Sequence, residues 1–184
     1  MTGSENMPNV ILVDENDSQI GLEEKLEAHR EGVLHRAISV YIFNSRGELL
    51  MQRRALGVYH SEGLWSNTCC TNCYEGESTD GAAHRSLRNE MGFDCELVEK
   101  FSTIYKTPVG GGLIENEYLH VFFGTYDGEP KPNASDVMGW KWMDIPSLID
   151  DAHRNSGSYT AWLKILLGGE LPHHIEEFIK NRKE

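Results

Sequence analysis

The chain has 184 residues, 39% hydrophobic and 25% charged, which suits one domain with its own buried core. A net charge of −12 argues against nucleic acid and anionic membranes as partners, but local cations or a metal can still admit an anionic substrate. No signal-peptide pattern or membrane-length apolar run is present. Four cysteines, at 69, 70, 73 and 95, make a poor disulfide framework, so a reduced, cytoplasmic setting is expected.

Residues 1–7 are expected to be disordered. Val10–Val13 reads as an opening strand, with a turn at Asp14–Asp17. Leu22–His29 predicts a short helix, because Leu22 and Leu26 are four apart. Leu34–Phe43 and Glu48–Arg53 alternate as strands about the turn Asn44–Gly47. Residues 57–78, rich in Gly, Ser, Cys, Asn and Thr, read as an irregular loop. A helix is predicted over Thr79–Met91, with Ser78 as N-cap and Gly92 just past its end. Glu96–Lys106 and Asn116–Tyr126 read as strands around P-V-G-G-G, followed by a short strand at Gly139–Met143. Amphipathic helices near Tyr159–Leu167 and His173–Asn181 close the chain. Strands and helices interleave through hairpins rather than repeated crossovers. That predicts an α/β fold, an α/β/α sandwich with a mixed sheet.

Within L-I-E-N-E-Y-L-H-V-F-F, Glu115 and Glu117 lie two apart on a strand-like run, so their carboxylates share a face. Two like charges on a buried face need a cation or a proton. A metal site or an acid–base site is one reading; a solvated edge strand is the other.

G-E-S followed by R-S-L-R-N-E-M-G, on the helix Thr79–Met91, resembles a Nudix box through Gly76, Glu77, Arg85, Glu90 and Gly92. Ala82, Ser86 and Asn89 stand where the hydrolase pattern wants further acids, leaving Glu90 as the one metal-holding carboxylate and making a nucleotide-diphosphate hydrolase the weaker reading. From about residue 8 to 165 the chain resembles type 1 isopentenyl diphosphate isomerase, a Nudix branch. The carriers come in order: E-K-L-E-A-H with Lys25 and His29, V-L-H-R-A with His35, Q-R-R-A-L with Arg54, and G-L-W-S-N-T-C-C with Cys70. Glu90, Tyr105, E-N-E with Glu115 and Glu117, and Y-T-A-W with Trp162 follow.

The resemblance implies a single Nudix-like domain over 1–184 that isomerises isopentenyl diphosphate to dimethylallyl diphosphate. Such a reaction adds a proton at one carbon, removes one from another and passes through a cation-like intermediate. Cys70 would exchange a proton on one face, and Glu117, bonded to Tyr105, on the other. Trp162 would lie against the cation. His29, His35, Glu115 and Glu117 would hold a divalent ion, manganese or zinc. Glu90 would carry a magnesium bridging to the diphosphate, which Lys25 and Arg54 would neutralise.

Several positions depart from the family. Asn72 replaces its third metal-binding histidine, and Cys73, just after it, is a potential replacement ligand. Val58 and Ser86 replace two cations. The same proton-transfer machinery acting on another prenyl diphosphate, for a double-bond shift or a cyclisation, is therefore the alternative. A redox or zinc module on C-C-T-N-C is a further one, and the Cys70–Cys73 spacing predicts a disulfide under oxidation.

Overall fold

Nine strands and five α-helices are found in residues 8–182, the part of the chain that this computed structural model describes; the expectation for residues 1–7 lies outside it. The central strand is β3 (His35–Phe43), buried along nearly all its length. Parallel β8 (Leu113–Thr125) lies along it, with His35 opposite Glu117 and Ser39 opposite Val121. On its other side β6 (Cys69–Asn72) pairs antiparallel, Ser39 opposite Cys70 and Ala37 opposite Asn72. β1 (Asn9–Val13) and β4 (Leu49–Arg54) meet β3 at its two ends. The sheet continues through β2 (Gln19–Glu24), β5 (Trp65–Ser66), β7 (Leu97–Gly110) and β9 (Val137–Met143). Only β3–β8 pair in parallel among the described strands, so the sheet is mixed as predicted.

Strand alternation divides β3 between two cores. Tyr41 and Phe43 meet α3 (Ile145–Arg154), α4 (Ala161–Leu167) and α5 (Leu171–Asn181) through Leu148, Leu163 and Ile175. Ile38, Val40 and Ile42 face the other way, onto α2 (Thr79–Ser86) and the π-helical turn Leu87–Met91 that continues it. Helices thus cover both faces of the sheet. None among the described residues is long and apolar enough to cross a membrane.

Four local expectations need correction. Leu22 lies in β2 opposite Ile11, and α1 (Lys25–Glu31) starts only at Lys25, where the Glu24 side chain accepts the Glu27 N–H at 3.0 Å. The cap decides this boundary, not the leucine spacing. Residues 57–78 contain β5 and β6: their short polar side chains look loop-like but satisfy buried groups. Thr68 Oγ1, for example, donates to the Leu50 carbonyl at 2.7 Å and accepts the Ile42 N–H at 2.9 Å. Helix α3 was not anticipated, although Asp144 caps it by accepting the Ser147 N–H and Pro146 sits in its first turn. The helix predicted over Thr79–Met91 keeps its ends but changes to π geometry at Leu87. Ser78 caps it and Gly92, at φ 75°, stops it; a Cβ there would lie 2.2 Å from the Lys131 carbonyl oxygen.

Candidate active site

The face of β3 that carries His35 and Ser39 also receives Cys70 and Asn72 from β6, and Glu115 and Glu117 from β8. Helix α1 adds Lys25 and His29, β7 adds Tyr105 and α4 adds Trp162. Most of these groups, with Arg54 and Glu90, line one cavity of about 510 Å³. β8 is hydrogen-bonded on both sides, and Glu115 and Glu117 are 4% and 7% exposed, so they do not decorate an edge strand.

One end of the site is a nest of acceptors. His29, His35, Glu115 and Glu117 each offer a ligand atom within 4.8 Å of the others. His29 Nδ1 lies 2.6 Å from the Lys25 carbonyl and His35 Nδ1 2.9 Å from that of Val33. Carbonyls only accept, so each ring puts its proton on Nδ1 and aims a bare Nε2 at the nest. The nearest carboxylate oxygens are Glu115 Oε2, 3.5 Å from His29, and Glu117 Oε1, 3.9 Å from His35. Both Nε2 atoms, Glu115 Oε2 and Asn72 Oδ1 are buried without a hydrogen-bond partner. Unpartnered lone pairs converging at this spacing fit a divalent cation. Burial, followed by the nearness of His29, pushes the His35 imidazole down to about 4.

This yields a pH prediction for the metal-free protein. An ordinary histidine near 6.5 in the unfolded chain takes up a proton before the folded His35 does. His35 thus contributes stability that is full above pH 6.5 and is lost as pH falls to about 4. The expected loss is on the order of 3 kcal/mol, read by denaturant unfolding of wild type and His35→Gln. Equal acid sensitivity in the two would refute it.

Two expectations for the cysteines fail here. The β6 alternation sends Cys70 toward the cavity and Cys73 to the opposite core, against Ile11 and Ala82. Cys73 therefore neither replaces the missing imidazole nor meets Cys70 in a disulfide, and all four cysteines are unpaired. Burial pushes the Cys73 thiol up to about 12. Asn72 instead turns its amide N–H to Glu117 Oε1 at 3.2 Å.

The middle of the cavity holds the groups suited to proton transfer. Tyr105 donates its hydroxyl to Glu117 Oε2 at 2.6 Å. Burial, then the adjacent Glu115 charge, raises Glu117 well above the usual carboxylate range. Cys70 is pushed up by burial and by the Glu90 charge. Trp162 Nε1 donates to Ser66 Oγ at 3.0 Å and Asn67 Oδ1 at 3.3 Å, which fixes the indole.

The remaining end is cationic. Arg54 directs its Nε and Nη2 at the His60 carbonyl, 3.3 and 3.1 Å away, and its guanidinium carbon lies 5.4 Å from the Trp162 ring. Lys25 Nζ is 4.7 Å from the Tyr59 ring centre. Val58 and Ser86 line the cavity but carry no charge. Ser86 donates to Glu90 Oε1 at 2.6 Å, and Gln52 to Oε2 at 2.8 Å. Arg85 is tied to Glu77 at 2.6 Å, while Lys106 and Arg53 bond backbone carbonyls and do not line the cavity. Sequence reasoning missed Tyr59 and His60, both cavity-lining; a lone histidine in a loop gave no periodic signal.

The description "NUDIX domain" matches residues 33–163. Two proteins of Aromatoleum aromaticum named isopentenyl-diphosphate Delta-isomerase 1 and 2 are 52% identical over 155 residues and 50% identical over 158 residues. Those matches cover 84% and 86% of this chain and 88% and 84% of theirs. Isopentenyl-diphosphate Delta-isomerase of Streptomyces coelicolor is 42% identical over 164 residues, 88% of this chain and 82% of its own. A crystal structure from Deinococcus radiodurans superposes with a TM-score of 0.72 at 19% identity, covering 86% of this chain and 96% of that one, which shows the fold. The chain belongs to the NUDIX family and, within it, to the isopentenyl-diphosphate Delta-isomerases.

Proposed function

We propose that the chain isomerises isopentenyl diphosphate to dimethylallyl diphosphate, with Cys70 and Glu117 as the proton-exchanging pair. The observation that carries this reading is Glu117. Its carboxyl group is buried, accepts the Tyr105 hydroxyl and lines the cavity that Cys70 also lines. One group of the pair enters protonated and gives its proton to the terminal alkene carbon, so positive charge develops at the branched carbon. The other enters deprotonated and takes a proton from the neighbouring methylene, whose C–H electrons form the new double bond. After turnover the carboxylate and the thiol re-equilibrate their protons with water. The fixed indole of Trp162 offers its π-face to the transient cation, worth about 2 kcal/mol when desolvated. Enclosure by Tyr59, Tyr105 and Trp162 keeps water from capturing it.

Lys25 and Arg54 neutralise the diphosphate. His29, His35, Glu115 and Glu117 would hold the divalent ion. Mixed nitrogen and oxygen donors suit manganese or zinc, which when bound would offset the charge of the paired carboxylates. Glu90, the one carboxylate on the box helix facing the cavity, would share a magnesium with the diphosphate. The unpaired cysteines fit a reducing compartment, and we place the enzyme in the cytoplasm.

Incubation with isopentenyl diphosphate and Mg²⁺ in deuterated water is expected to give dimethylallyl diphosphate carrying deuterium in a methyl group. Absence of both product and label, with Mn²⁺ or Zn²⁺ also supplied, would sink the proposal. Conversion of a longer prenyl diphosphate in its place would redirect it to that substrate.

A further inference from the structure

His60 lies on the loop after β4. It is 7% exposed, and its ring meets Trp162 edge to face, centroids 5.6 Å apart. Its Nε2 lies 2.9 Å from Glu115 Oε1, a close contact in which the ring N–H is not aligned as a hydrogen bond, and it has no hydrogen-bond partner among the described residues. The other nitrogen, Nδ1, lies 3.1 Å from Ser61 Oγ. A serine hydroxyl donating there leaves the imidazole proton on Nε2, facing Glu115. His60 thus packs against Oε1 while Oε2 of the same carboxylate faces His29.

We propose that His60 is a positioning residue for the metal site: it holds Glu115 by Oε1 so that Oε2 points into the nest of donors. The inference rests on the metal-site part of the proposed function. His60 is not itself among the four donors that converge within 4.8 Å. It acts from the far side of one of them, the place from which a hydrogen-bond donor orients a ligating carboxylate. The need is greater here because Asn72 brings an amide rather than an imidazole. With two imidazoles in the nest, the aim of each carboxylate oxygen weighs more in holding a cation. The His60 backbone carbonyl, not its side chain, receives Arg54, so a side-chain substitution leaves the cationic end of the cavity in place.

The test is Mn²⁺ affinity, followed by electron paramagnetic resonance during titration of the full chain. His60→Ala and His60→Phe, which both lack the N–H, are expected to bind Mn²⁺ about 10–100-fold more weakly. His60→Gln, whose amide N–H reaches a similar point, is expected to recover most of that loss. Spin-echo spectra should count two directly bound imidazole nitrogens in wild type and in His60→Phe alike. Unchanged affinity in His60→Ala and His60→Phe overturns the proposal. So does a third bound nitrogen in wild type that His60→Phe removes, because His60 would then be a ligand. Wild-type protein that binds no Mn²⁺, Co²⁺ or Zn²⁺ overturns this proposal together with the metal site. A chain that shows the affinity pattern but turns over no isopentenyl diphosphate supports His60's role and overturns the activity alone.

Discussion

Glu117→Gln is expected to lower isomerase turnover by about 10²–10⁴-fold, the range for removal of a positioned acid–base group. The amide matches the carboxyl in shape and can still accept from Tyr105 at Oε2, so the wall of the cavity is kept. What it loses is the carboxyl group that exchanges a proton with substrate. Glu117 also faces His35, so part of the loss could come through weaker cation binding. The two causes separate in a titration with Mn²⁺ and Mg²⁺. Activity that returns as the ions are raised belongs to binding, and activity that stays low belongs to proton transfer. Turnover within tenfold of wild type at saturating metal would remove Glu117 from the chemistry.

Cys70→Ala carries the second large effect, with a different signature. The thiol is no donor in the nest, so Mn²⁺ affinity should match wild type while turnover falls by about 10²–10⁴-fold. No deuterated dimethylallyl diphosphate should form, because with one of the pair gone any cation-like state can only return to substrate. Cys70→Ser should restore little, since a hydroxyl gives up its proton far less readily than a thiol. Retained formation of dimethylallyl diphosphate in Cys70→Ala would show that another group performs its transfer.

How far the site could be read from the chain differs from residue to residue. Glu115 and Glu117 announced a shared face because a strand has a two-residue period, but whether that face was buried or a solvated edge was settled only by the fold, which buries it. Ser78 and Gly92 marked the box helix because a cap and a left-handed glycine are local chemistry. By contrast, β6 was hidden. Its sequence C-C-T-N has no hydrophobic alternation, and its strand character comes from pairing with β3, a contact distant in sequence. The side on which Cys73 lies was hidden with it. His60 escaped for the same reason: nothing near it in the chain says that its loop folds back onto Glu115. The helix Ile145–Arg154 was legible in retrospect, from the Asp144 cap and Pro146.

The parallel pairing of β3 with β8 has a consequence for how the protein is made. His29 and His35 leave the ribosome long before Glu115 and Glu117, and the two sets meet only when β8 docks beside β3. Parallel pairing of distant strands closes a long loop and comes late in folding. A cation therefore has no complete cage to enter on a nascent chain and cannot template the early steps. A cation held there would act as a latch afterwards, binding the native state and slowing its opening, so its supply would set the lifetime of the finished enzyme rather than its rate of folding.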